Sequence, residues 1–130
     1  MPTQANKALI YQIFDEGFNQ GALSIVDEIF HPAFVDRSTP EQVPGPGGVK
    51  DYITMVRKGF PDISVSIEDL VAENEKVVVR TTWRGTHLGE YGGLAPTGKQ
   101  VTRTMIQIFH VLDGRLHEEW NEGESLTALL

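Results

Sequence analysis

Apolar residues in the first half of the chain recur at helical spacing. Leu9, Ile10, Ile13, Phe14 and Phe18 fall on one face of a helix that Thr3 can cap and Gly21 can end. A second, short helix carries Leu23, Val26, Ile29 and Phe30, and Pro32 stops it. Ala33 to Asp36 reads as a brief strand. Residues 37–48, rich in proline and glycine, read as a loop within one domain, since neither side is long enough to stand alone. Val49, Tyr52, Ile53, Val56 and Phe60 then predict a third helix, with Asp51 near its start and Arg57 and Lys58 near its end, as suits the helix dipole.

From Asp62 onward the period changes to two. Ile63, Val65 and Ile67 alternate with Ser64, Ser66 and Glu68. A turn at Glu73-Asn74-Glu75 leads into a β-branched strand from Lys76 to His87. After a glycine-rich loop, Lys99 to Leu112 is the longest strand, and Asp113-Gly114 turns it back into Arg115 to Glu122. A short amphipathic tail follows. Helices first and a strand meander afterwards predict an α+β domain, not a doubly wound one. On the long strand, Met105 and Phe109 point to one side, and Ile106 and Ile108 to the other. The chain's own helices can cover only one side, so the other is expected to pack against a second copy in a homodimer.

Composition narrows the function. A length of 130 residues suits one domain over 1–130, and 40% hydrophobic residues suffice for a core. The net charge of −7 argues against a nucleic-acid or anionic-membrane partner, which would need clustered Lys and Arg. There is no cysteine, which removes thiol nucleophiles, disulfides and thiolate metal sites. The amino terminus shows no signal-peptide pattern, and no stretch approaches the roughly 20 apolar residues of a membrane span. A cytoplasmic protein is the expectation.

Two familiar site patterns fail on their chemistry. Residues 93–100 match GxxxxGK, but Gln100 stands where a magnesium-binding hydroxyl belongs, and Val101, Thr102 and Thr104 announce a strand where a phosphate loop feeds a helix. The histidines His31, His87, His110 and His117 have no metal-ligand spacing. His110 and His117 can approach across the hairpin, with Glu119 nearby, but two surface histidines are the simpler reading, and no metal is expected. There is no GxSxG elbow.

The remaining candidates are aromatic and polar residues able to surround one cavity. Phe14 and Phe18 come from the first helix, Tyr52 and Met55 from the third, and Trp83, His87, Met105, Gln107, Trp120 and Asn121 from the sheet. Gln107, between Ile106 and Ile108, needs a partner, because an unpaired buried amide costs about 1–3 kcal/mol. The hairpin register decides which one. A two-residue Asp113-Gly114 turn sets Gln107 opposite Trp120. A three-residue Leu112-Asp113-Gly114 loop sets Gln107 opposite Glu119 and Met105 opposite Asn121, building one polar face from Gln107, Glu119 and Asn121.

In order and spacing the chain resembles the SnoaL-like polyketide cyclases of the nuclear-transport-factor-2-like superfamily, nearly end to end. The resemblance rests on Phe18-Asn19-Gln20-Gly21, Phe34-Val35-Asp36, Phe60-Pro61-Asp62, Gly85-Thr86-His87-Leu88-Gly89, Pro96-Thr97-Gly98-Lys99, Asp113-Gly114-Arg115 and Glu119-Trp120-Asn121. It implies a cone-shaped, bent antiparallel sheet wrapped around the helices, a deep pocket for a small apolar carbonyl-bearing molecule, and no cofactor. It also implies cyclisation by an intramolecular aldol reaction, driven by an aspartate directly after the tryptophan of the last strand. This chain departs there: Asn121 holds the aspartate position, and Gln107 stands where some cyclases carry histidine. Glu119 is then the candidate base and His87 the second, with Asn121 left to polarise a carbonyl or orient a water. The same fold also serves non-catalytic binders and cofactor-free hydroxylases.

Overall fold

The computed structural model describes residues 2–130. Helix α1 (Pro2–Tyr11) runs without a break into a π-helical stretch, Gln12–Phe18. It already begins at Pro2, so Thr3 lies inside it and is not its cap; proline suits a first helical turn, where its missing N–H is not needed. The wider π turn shows in the Asn19 N–H bonding the Phe14 carbonyl at 3.0 Å. It keeps Ile13, Phe14, Gly17 and Phe18 all buried, with the two phenyl rings stacked 5.8 Å apart.

The second helix is shorter than its apolar spacing predicts. A 3-10 turn, Leu23–Ile25, leads into α2 (Val26–Ile29), and Phe30 already belongs to strand β1 (Phe30–Asp36). Pro32 therefore sits inside a strand. The strand tolerates it because β1 is a sheet edge, paired only with β5, and its register is broken between Phe30 and Val35. Helix α3 (Pro46–Gly59) buries Val49, Ile53 and Val56, as the spacing predicts.

Strands β2 (Ser64–Glu73), β3 (Lys76–Thr86), β4 (Gln100–Leu112) and β5 (Arg115–Gly123) complete an open sheet of order β1-β5-β4-β3-β2. Every neighbouring pair is antiparallel except β1 and β5, which are parallel. A bulge between Ile67 and Asp69 bends β2. The architecture is the mixed α+β one that the helix-then-strand order implies. The helices cover one face, where Ile10, Ile13, Phe14, Ile53 and Val56 meet Val77, Val79, Phe109 and Leu116 in a continuous core. The other face of β4 carries Ile106 and Ile108 exposed. Among the described residues no helix is long and apolar enough to cross a membrane.

The β4–β5 hairpin takes neither of the two registers read from the sequence. Asp113 (φ 53°) and Gly114 (φ 74°) form a two-residue turn with both centres left-handed, pairing Leu112 with Arg115 and Val111 with Leu116. One extra residue, His117, is then bulged out of β5, so His110 pairs with Glu118 and Gln107 with Asn121. The tight turn and the polar face are both present, and the bulge reconciles them.

Candidate functional site

A cavity of about 640 Å³ opens between the helices and the concave face of the sheet. Its wall includes Phe14 and Phe18 from the π-helical stretch, Tyr52 and Met55 from α3, and Trp83, Met105 and Gln107 from β3 and β4. Glu119 and Asn121 of β5 also line it, with Asp36 from the end of β1. Alternation along β4 and β5 gathers these side chains on one face, so Met105, Gln107, Glu119 and Asn121 meet in one place.

At one end the polar groups form a directed chain. The Trp83 indole N–H donates to Thr81 Oγ1 at 2.9 Å, and the Thr81 hydroxyl donates to Gln107 Oε1 at 3.2 Å. Gln107 Nε2 then donates to Glu119 Oε2 at 3.1 Å. An indole N–H can only donate, so it sets the direction of every later bond and fixes which way the Gln107 amide points. Glu119 Oε2 is therefore an acceptor, and Oε1 is the oxygen left to carry or release a proton.

Asn121 is bound to a second carboxylate. Its Nδ2 donates to both oxygens of Asp36, at 3.0 and 3.2 Å, while its Oδ1 is buried without a partner. The Ser38 backbone N–H donates to Asp36 Oδ1 at 2.9 Å, and the Ser38 hydroxyl accepts from the Asn121 backbone N–H at 2.8 Å. Burial pushes the Asp36 carboxyl above its ordinary range, against the pull of these bonds. Burial, reinforced by the Asp36 charge and opposed by Gln107 and Asn121, pushes Glu119 up to about 8. Glu119 is only partly buried and lines the cavity. Burial and the mutual repulsion of the two carboxylates thus favour the protonated form, and the push is larger on Glu119 than on Asp36. Asp36 was not singled out from the sequence as a site residue, because nothing local marks it. Only the parallel pairing of β1 with β5, which sets Asp36 beside Glu119, gives it a role.

The far end of the cavity is cationic. Arg103 is only 6% exposed, and its guanidinium lies 4.3 Å from the centre of the Trp83 ring. Nη1 donates to the Glu124 carbonyl at 3.0 Å and Nη2 to the Tyr52 hydroxyl at 3.2 Å. Tyr91 lines the same region, and burial holds its hydroxyl protonated, well above the usual tyrosine range, with Arg103 opposing. A basic residue on a strand reads as solvent-facing, so the alternation of β4 was its only sequence signal.

Two expected site residues lie elsewhere. Trp120 pairs with Ile108 on the opposite face of the sheet and is 36% exposed, outside the cavity wall. The alternation that brings Glu119 and Asn121 inward turns Trp120 outward. His87 is fully buried, yet it also lies outside the cavity wall. It packs on Phe60 at 5.5 Å between ring centres, and its Nδ1 accepts from the Thr97 backbone N–H at 3.1 Å. That arrangement pins the 88–98 loop and holds the His87 ring away from the cavity wall. His110 and His117 do meet, Nδ1 to Nδ1 at 3.4 Å, but their acidic neighbour is Glu118, because of the bulge. Glu118 is itself paired with Arg37 at 2.7 Å, and this cluster stands apart from the cavity.

Known proteins share this framework. The chain is similar to the aklanonic acid methyl ester cyclase AcmA of Streptomyces galilaeus, 29% identical over 106 residues, covering 78% of this chain and 73% of that one. A second cyclase of the same name, DnrD of Streptomyces peucetius, is 24% identical over 112 residues, covering 81% and 77%. Among solved structures, TsrD of Streptomyces laurentii superposes with a TM-score of 0.86 at 26% identity, covering 93% of this chain and 89% of its own. The SnoaL-like polyketide cyclase family model matches residues 8–130. The chain belongs to the SnoaL-like polyketide cyclase family.

Proposed function

We propose that the protein is a cofactor-independent cyclase or isomerase of a polyketide-like carbonyl compound, with Glu119 as its acid–base group. The observation that carries this is the Glu119 carboxyl, poised at about 8 on the cavity wall and aimed by Gln107. A carboxyl near neutrality can both take and return a proton. In its ionised form, Glu119 Oε1 removes a proton from the carbon beside a carbonyl. The resulting enolate carbon attacks a second carbonyl of the same molecule, and a C–C bond forms. The electron pair of that C=O moves onto oxygen, which takes the proton back from Oε1. No atom is lost. The unpartnered Asn121 Oδ1 is placed to accept a hydrogen bond from the new hydroxyl. The acid missing at position 121 is thus replaced by Glu119 on the same strand, with Asp36 tuning it.

Aromatic ketones with an enolisable side chain and a pendant carbonyl, incubated in D2O and followed by mass spectrometry, test this reading. Deuterium at the α-carbon and cyclised product are expected, both lost in Glu119→Gln. Tight binding with no exchange, and no dependence on pH, would instead make the protein a non-catalytic binder.

The outer face supports a second copy of the chain as partner. Val71, Val78, Ile108 and Trp120 stand directly opposite one another across β2, β3, β4 and β5. All four are exposed, making one apolar row across the sheet. Sedimentation analysis should find a dimer, and Ile108→Lys should yield monomer with the cavity intact.

A further inference from the structure

The acid–base cluster occupies one end of the cavity; Arg103 occupies the other, and nothing in the proposed chemistry uses it. We infer that Arg103 receives a carboxylate, so that the preferred ligand is a free polyketide-like acid and not its ester. This inference rests on the proposed cavity function and names the ligand class.

The argument begins with donors left over. A guanidinium has five N–H donors, and among the described residues two of those on Arg103 have acceptors. Nε is buried without any partner. No carboxylate stands in the ion pairs of the described residues with Arg103, although the side chain is 6% exposed and lines the cavity. A buried charge without a counter-ion is costly, and its stem could have been replaced by an aliphatic residue at little loss of packing. The Trp83 face and two neutral acceptors stabilise the cation only in part. A planar carboxylate complements the open edge of the guanidinium through paired N–H bonds, and the Tyr52 and Tyr91 hydroxyls are nearby to complete its shell.

A phosphate fits less well. The acids Glu41, Asp51 and Glu124 also line the cavity, all exposed, and would oppose a second negative charge. The spacing fits a multi-ring acid. Arg103 and Gln107 lie four residues apart on the same face of β4, about 13 Å along the strand. A molecule anchored at Arg103 by its carboxylate would lie along Trp83 and Met105 and present its far end to Glu119. The two Streptomyces relatives are named for a methyl ester, in which that charge is masked.

The test compares anthraquinone-2-carboxylate with its methyl ester, by calorimetry and by quenching of Trp83. Quenching is read in a Trp120→Phe background, where Trp83 is the sole remaining tryptophan of the two. The acid should bind about ten- to a hundredfold more tightly than the ester. Arg103→Met should erase that preference, and Arg103→Lys should retain part of it. Equal binding of acid and ester by the native protein overturns the inference and leaves the cavity function standing. So does a preference that survives in Arg103→Met. If Arg103→Met does not fold, the native comparison and Arg103→Lys decide. Binding of neither probe overturns the cavity function, and this inference with it.

Discussion

Glu119 and Trp120 are consecutive residues of β5, yet they stand in different chemical worlds. Glu119 faces inward, where burial and the Asp36 charge raise its pKa to about 8. Trp120 faces outward, 36% exposed, at the end of the apolar row through Ile108, Val78 and Val71. The difference shows how one strand divides its work: one parity contributes a polar cluster to the cavity, and the other contributes to an exposed apolar row. The His117 bulge sets which parity is which. It advances β5 by one residue, so that Glu119 and Asn121, and not Trp120, share a face with Gln107.

The largest effect should come from the inner parity. Glu119→Gln keeps the side chain's shape and its acceptance from Gln107 but cannot move a proton. A loss of kcat of about 10²- to 10⁴-fold is expected, with ligand affinity little changed. In the native protein kcat/KM should rise with pH and level off above about 8, because the free protein must first ionise Glu119. A mutant as active as the native protein would remove Glu119 from the mechanism.

Asp36 gives the next effect. Its charge is the second cause of the Glu119 shift, after burial. Asp36→Asn should therefore move the kcat/KM inflection to lower pH without returning it to the ordinary carboxylate range, since burial remains. A shift of about one pH unit is the expected size. An inflection that stays in place would mean that Asp36 does not act on Glu119.

These two residues also mark how far the sequence carried. The α3 spacing and the change of period at Asp62 were legible, because each follows from periodicity over a long element; the inward set of Met105, Gln107, Glu119 and Asn121 was only one of two outcomes that the hairpin left open. Trp120 was misplaced and Asp36 overlooked for one kind of reason: both depend on pairings made across strands. The first depends on a bulge that no residue type announces, the second on a parallel contact between β1 and β5, which are some eighty residues apart. His87 was misread because a buried polar ring looks the same in a sequence whether it meets a ligand or a loop. Arg103 was missed because a buried cation is rare enough that a strand arginine reads as surface.

Stability offers a smaller, separate test of the same cluster. Glu119 has a folded pKa of about 8, against roughly 4.3 in an unfolded chain. Below the lower value it is neutral in both states and costs nothing. As pH rises through this window the unfolded chain releases the proton first, so stability should fall, and it should level off above about 8. Because part of Glu119 opens to the cavity, solvent tempers the cost to a few kcal/mol, on the order of 2–4. Asp36, also raised, adds a slope of the same sign. Glu119→Gln should remove most of that slope, so its melting temperature should exceed the native one at pH 8 and match it near pH 4.5. A gap that does not change with pH would show that the carboxyl is not held neutral.

The smallest effect should come from Trp120, and it is the sharpest test of the division between the faces. Trp120→Ala removes the largest side chain of the outer row without touching the cavity wall. Cavity ligands should bind within about twofold of native affinity, since no atom of the site is lost or repositioned. Self-association should weaken instead, because a large aromatic in an interface is among the residue types whose truncation costs most. Calorimetry and sedimentation on one preparation read both quantities. If ligand affinity falls tenfold while the dimer persists, Trp120 belongs to the pocket after all, and the register that turns Glu119 inward is wrong with it. One substitution on the exposed face therefore tests the geometry on which the buried acid depends.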